Sequence, residues 1–201
     1  LLYPTYFKER IVKIRSKETM VILVAIAPIL LIGYLLKDVI KSALFLPNVI
    51  FMGLIIGGIG LIIAEKKVRH QHSDDNKAKV TIRQAWIVGV WQCLALWPGM
   101  SRSAMTIMGA MFAGLNRVTA ASFSFVIAVP VMAVVVGYDL LSASSVLGRS
   151  AYGWIAIGMG LSFIVAWATM RWFLGFIQRQ GLLVFGVYRI VLGMAGLLFY
   201  G

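Results

Sequence analysis

Apolar residues run along this chain in blocks of membrane length, separated by short polar clusters. Residues 19–36 form an uninterrupted block of 18, just long enough to cross a bilayer core of about 30 Å as a helix. Pro28 within it predicts a kink, and Lys37, Asp38 and Lys41 mark its exit. A second block covers 46–64, where Gly53, Gly57, Gly58 and Gly60 predict close helix packing. Later spans are predicted at 118–141, 152–173 and 182–200, with 142–150 as a short polar loop. Ahead of the first span, residues 6–18 carry five bases and two acids and read as a basic interfacial segment. The longest polar segment, 65–83, reads as a solvated loop.

The block at 84–116 fits neither one span nor two. It holds 33 residues, where one crossing needs about 20 and two need about 40 plus a turn. Its centre is broken by Pro98 and Gly99. The flanking arms, 84–97 and 103–116, each reach about 21 Å as helices at 1.5 Å per residue. A re-entrant helical hairpin fits that length, with its tip beyond the bilayer centre, and irregular backbone at that depth must be buried in protein or line a polar cavity.

Composition agrees with a membrane reading. The 201 residues are 61% hydrophobic and 13% charged, with a mean hydropathy of +0.91. Long continuous apolar blocks exclude the alternating strands of an outer-membrane barrel and predict an all-α integral membrane protein, a polytopic helical bundle forming one transmembrane domain over 1–201. The net charge of +12 does not imply nucleic-acid binding, because the bases gather at the ends of apolar blocks. With 6–18 inside and 84–116 re-entrant, 14 Lys and Arg fall on the cytoplasmic side and three, Lys37, Lys41 and Arg149, on the other. A single crossing at 84–116 would spoil that asymmetry. Cys93 is the sole cysteine, which excludes an intrachain disulfide. His70, His72, Asp74 and Asp75 are metal ligands by type, but their polar segment has no apolar anchors to preorganise them. The opening Leu1-Leu2-Tyr3-Pro4, without an initiator methionine, reads as that of a fragment.

The chemistry concentrates in Trp97-Pro98-Gly99-Met100-Ser101-Arg102-Ser103-Ala104-Met105-Thr106. Arg102 is the sole charged residue between 84 and 116. An arginine at the bilayer centre costs roughly 2.5–3.5 kcal/mol on insertion scales, and a bound anion would offset it. Ser101 and Ser103 are suited to cap a helix running on through Phe112, whose free N–H groups would face the same anion. Arg189 is a second intramembrane cation, open at this level to a structural or a site role.

This run resembles the PGxSRSxxT motif of the undecaprenyl-diphosphate phosphatases, the bacitracin-resistance family. The preceding Gln92-Cys93-Leu94-Ala95-Leu96-Trp97 and the downstream Phe123 to Pro130 and Tyr188-Arg189 match as well. The resemblance implies a multi-pass enzyme of the bacterial inner membrane. It would hydrolyse undecaprenyl diphosphate to undecaprenyl phosphate and inorganic phosphate, recycling the lipid carrier of cell-wall synthesis. It implies an inverted-repeat fold whose second half contains the 84–116 hairpin, and a site facing the periplasm. In that reading Arg102 and Ser101 are catalytic, and Gly99, Ser103 and Thr106 bind the substrate phosphates. The partners are a polyprenyl diphosphate lipid and the bilayer, with no nucleic acid, and a homodimer is compatible.

One part of the family pattern is missing. A second motif, two glutamates four apart followed by a Pro-Val-Ser-Ser-Thr-Gly-His-like run, has no match here. The resemblance ties those glutamates to a divalent metal, magnesium or calcium, whose ligands are therefore not expected in this chain. The chain is expected to be inactive alone, with activating groups on a partner hairpin. Type-2 phosphatidic-acid phosphatases also use a Ser-Arg pair, but the histidine six positions after the arginine is Met108 here. A non-enzymatic transporter or flippase of polyprenyl phosphate is the alternative, since re-entrant helices also build transporter sites.

The hairpin reading is directly testable. In a Cys93-free background, Arg83→Cys and Arg117→Cys are expected to label from the same, cytoplasmic side. Labelling from opposite sides would overturn it.

Overall fold

The computed structural model describes residues 16–40, 46–69, 79–143 and 149–200, and among these there is helix and turn but no strand. Most of the basic segment at 6–18, the residues His70, His72, Asp74 and Asp75, and part of the 142–150 loop lie outside the described residues. Among the described residues seven helices carry the fold: α1 Ser16–Leu35, α2 Pro47–Arg69, α3 Ile82–Cys93, α4 Arg102–Phe112, α5 Arg117–Ala143, α6 Arg149–Gln180 and α7 Leu183–Tyr200. A single turn at Lys37–Val39 follows α1, and a 3-10 turn at Leu94–Leu96 follows α3. Five of the helices, α1, α2, α5, α6 and α7, are long and apolar enough to cross a bilayer. The protein is an all-α polytopic membrane protein.

Helices α3 and α4 are too short to cross and instead turn back on each other. At their open end Gln84 Nε2 donates to the carbonyl of Ala113 at 3.1 Å. Further in, the Trp91 ring stacks on Phe112 with centroids 5.0 Å apart. Each arm is capped by its own sequence. Thr81 and Gln84 form a reciprocal capping box at the start of α3. Gly114, at φ 91°, ends α4 in the left-handed conformation that favours glycine. Asn116 Oδ1 then accepts from Thr119 N at 2.8 Å, opening α5.

Burial places α4 at the centre. Every residue from Ala104 to Met111 is buried, because α2, α3 and α5 all pack on this one short helix. Small side chains permit this: Gly109 lies so close to Trp91 Cβ that any side chain there would collide. The most extensive contact is between α2 and α7, where Gly58 and Gly186 face each other's backbones. By contrast, α6 exposes apolar residues over most of its length and meets its neighbours near its C-terminal end, through Phe173, Leu174, Phe176 and Ile177. Such a surface suits lipid.

Glu65 corrects the sequence reading. It was expected to begin a solvated loop, yet α2 runs on to Arg69 and Glu65 is buried. Its Oε1 lies 2.7 Å from Arg117 Nη2, and its Oε2 accepts from Leu182 N at 3.3 Å. One carboxylate thus joins the end of α2, the start of α5 and the turn into α7. Its negative charge also sits where the α7 dipole is positive. The loop reading failed because a charge ending an apolar block looks alike whether it meets water or a partner.

Glu65→Gln would remove the charge that Arg117 pairs with and leave one amide oxygen to serve either Arg117 or the Leu182 N–H. Glu65→Gln is expected to destabilise the fold by roughly 3 kcal/mol, the low end for a broken buried pair because Arg117 retains partial exposure. Thermal unfolding in detergent measures this, and an unchanged midpoint would show that the clamp contributes nothing.

Candidate functional site

The break between α3 and α4, residues 97–101, sits in a seat made by the first turns of α2. Trp97 Nε1 donates to the carbonyl of Val49 at 3.0 Å. Gly99, at φ 90°, presses its Cα against the carbonyl of Ile50, so neither its conformation nor its space admits a side chain. Gly53 faces the carbonyl of Pro98, and Gly57 faces Met100 and Arg189 just as closely. The glycines read as helix-packing positions therefore divide. Gly58 packs against α7 and Gly60 against Met108, whereas Gly53 and Gly57 clear room for the broken segment and a guanidinium.

That guanidinium belongs to Arg189. It is buried, and its Nη2 donates to the carbonyls of Gly99 at 2.7 Å and Met100 at 2.8 Å, with a longer contact of 3.5 Å to Gly53. No described carboxylate pairs with it, since the ion pair among the described residues is Glu65–Arg117. The open question about Arg189 is thereby decided: it braces the backbone of the segment from behind. The brace has a polarity. In a trans peptide the C=O and N–H point opposite ways, so drawing the Met100 carbonyl onto Arg189 turns the Ser101 N–H away from it.

Ser101 is the one non-glycine residue with a positive φ, 66°, among those described. Such a conformation costs of order 1–3 kcal/mol and persists where the surroundings over-determine it. Here Arg189 holds the two preceding carbonyls, and Ser101 itself caps α4, its Oγ accepting from Ala104 N at 3.4 Å. The result is an exposed hydroxyl, 3.4 Å from that of Ser103, at the open end of a helix. The N–H groups of Ser101, Arg102 and Ser103 have no acceptor among the described residues.

Arg102 is half-buried, and its guanidinium has no acceptor or ion-pair partner among the described residues. Arg102 opens the first turn of α4, where free N–H groups and the positive end of the helix suit an oxyanion. Thr106 lies one turn further in. It is buried, and its hydroxyl meets the carbonyls of Arg102 and Ser103, each at 3.0 Å, and Ser124 Oγ of α5. Gly99, Ser101, Arg102 and Ser103 thus lie together at the N-terminal end of α4, with Thr106 fastening its first turn. Sequence reasoning missed the α2 seat and the Trp97 anchor. The i, i+4 spacing of Gly53 and Gly57 was a visible signal of a bare strip, but not of what would fill it.

Residues 4–195 match the family model described as bacitracin resistance protein BacA. Among relatives, an undecaprenyl-diphosphatase of Sulfurovum sp. (strain NBC37-1) is 43% identical over 190 residues, 94% of this chain and 74% of that protein. Another, of Clostridium tetani, is 41% identical over 86% of this chain and 64% of its own length. A third, of Acinetobacter baumannii (strain AYE), is also 41% identical over 86% of this chain and covers 63% of its own length. The chain therefore spans between about three-fifths and three-quarters of these relatives.

The seat makes a contrast between two glycines of one helix. Gly57→Ala is expected to expel the Arg189 guanidinium, leaving buried carbonyls unsatisfied at roughly 1–3 kcal/mol each, and to abolish pyrophosphate binding. Gly60→Ala meets only the flexible Met108 side chain and is expected to keep both stability and binding. Unfolding midpoints and isothermal titration of the two variants check this. Equal behaviour would remove the brace as an explanation.

Proposed function

The chain belongs to the bacitracin resistance protein BacA family, and from that membership we propose that it serves the hydrolysis of undecaprenyl diphosphate to undecaprenyl phosphate and inorganic phosphate. The observation that carries this reading is the half-buried Arg102, without a partner among the described residues, next to unpaired N–H groups at an exposed serine. A guanidinium suits a diphosphate because its planar fork binds two oxygens at once and stays charged in an apolar setting.

In the reaction water adds across the anhydride. The terminal phosphorus gains an oxygen, its bond to the bridging oxygen breaks, and the electron pair leaves with the lipid monophosphate. Arg102 and the N–H groups of Ser101, Arg102 and Ser103 would take the non-bridging oxygens as charge builds on them. Gly99 lets the backbone come close, and the Ser101 hydroxyl, free of a helix carbonyl, meets the terminal phosphate. Thr106 serves the phosphate through the first turn of α4, which its hydroxyl ties to Ser124.

Two further groups are needed. No histidine lies among the described residues, and the buried carboxylate, Glu65, is committed to Arg117. Activation of the nucleophile and protonation of the leaving group are therefore assigned to groups outside the described residues. The magnesium or calcium implied by the family resemblance does not fit here either: among the described residues no three His, Cys, Asp or Glu side chains converge. No step is routed through it. The site is assigned to the periplasmic half of the bacterial plasma membrane. The broken segment rests on α2 at Val49 to Gly57, away from the basic end at Lys66 and Lys67, which the positive-inside rule puts in the cytoplasm.

Two measurements test the proposal. Binding of undecaprenyl diphosphate in detergent is expected to weaken about 100-fold in Arg102→Lys, and at least as much in Arg102→Ala. Unchanged binding would make Arg102 a snorkelling residue. Phosphate release by the chain alone is expected to fall far below that of the Sulfurovum relative assayed beside it. Equal, metal-dependent turnover would show that its own serines suffice, and binding without release by either protein would favour a carrier-lipid transporter.

A further inference from the structure

Gln92 is fully buried, yet neither its Nε2 nor its Oε1 has a hydrogen-bond partner among the described residues. A primary amide offers two donors and an acceptor with two lone pairs, so leaving it bare inside a helical bundle is costly. A partner is required, and its place can be read from the packing of α3 on α1.

The two helices run in the same direction. A side chain added at Gly89 would lie 2.7 Å from the Ala25 carbonyl and 3.0 Å from Pro28 Cγ, and one at Gly33 would lie 3.3 Å from Leu96 Cδ2. Residue 89 thus faces 25 and 28, and residue 96 faces 33. Gln92, on the buried face of α3 with Ala85, Val88 and Gly89, comes level with Pro28 and Ile29. Pro28 lies inside α1 and is itself buried. Having no N–H, it denies the carbonyl of Val24 its α-helical donor. The Gln92 amide and the Val24 carbonyl, deprived of its i+4 donor, thus lie on two helices that pack together along one seam, with Gln92 four residues before the apolar contact of Leu96.

We propose that this seam is a binding site for buried water, held between the Gln92 amide and the Val24 carbonyl that Pro28 leaves free. A buried water needs two to four polar partners, which these groups supply. The seam fixes the end of α3 against α1, immediately before the 3-10 turn Leu94–Leu96 that carries the chain into the Trp97–Arg102 segment. The site is independent of the phosphatase reading, because it rests on helix packing alone.

A double-mutant cycle on the full chain separates water from an empty cavity. Gln92→Leu keeps roughly the same volume. If water is bound, it is expected to lower the unfolding midpoint by about 3 °C, because the Val24 carbonyl loses its indirect donor. In a Pro28→Ala background that carbonyl has a helical N–H, and Gln92→Leu is then expected to be neutral or to raise the midpoint. Gln92→Leu raising the midpoint in both backgrounds would overturn the proposal, since an unsatisfied amide gains by becoming apolar. A second readout needs no variant that must fold. In lipid-reconstituted chain carrying ¹⁵N-glutamine, water-to-amide magnetisation transfer is expected at the Gln92 side chain, and its absence would also overturn the site.

Discussion

A buried cation without a carboxylate partner among the described residues governs the arrangement of this membrane protein's central break. Arg189 Nη2 donates to the carbonyls of Gly99 and Met100, and reaches them only because Gly57 has no side chain, while its buried Nε has no partner among the described residues. Broken backbone within a bilayer must find partners in protein or water. Here one side chain supplies them and thereby sets which way the peptide groups face. Carbonyls turn toward the brace, and donors turn toward the mouth.

The positive φ of Ser101 follows from that constraint. A serine in this region is strained, and the strain persists because the segment is fixed at both ends: by Trp97 on Val49 and by the α4 cap and first turn. The same fixation holds Arg102 beside free N–H groups at no further reorganisation cost when an anion arrives. Two arginines thus differ in setting: Arg189 organises the backbone from within, whereas Arg102 has no partner among the described residues. Under the proposed function that difference has a use, since a lipid diphosphate would be an anion to be gripped at membrane depth.

At the opposite end of α2, Glu65 does for the helix ends what Arg189 does for the break. It gathers Arg117 and Leu182 around one carboxylate, so that α5 and α7 start from a common point. Between these two polar fastenings the bundle is held by small residues and methionines around α4, a packing that suits a medium in which helices gain little from leaving lipid.

Sequence alone determined the helical membrane class, because only helices satisfy the backbone of such long apolar blocks. It also determined that 84–116 must turn back, because 33 residues are too many for one crossing and too few for two. Arg102 stood out as a lone charge, and the Pro98 to Thr106 run carried the family resemblance. What only the tertiary structure decided were relations across distance in the chain. Arg189 is 90 residues from Gly99, and Glu65 is 117 residues from Leu182. An intramembrane arginine facing a ligand and one facing carbonyls look the same in sequence, as do a glycine packing a helix and a glycine seating a loop. Hydropathy records how much each residue prefers water, while the partner that replaces that water is set by which helices come together.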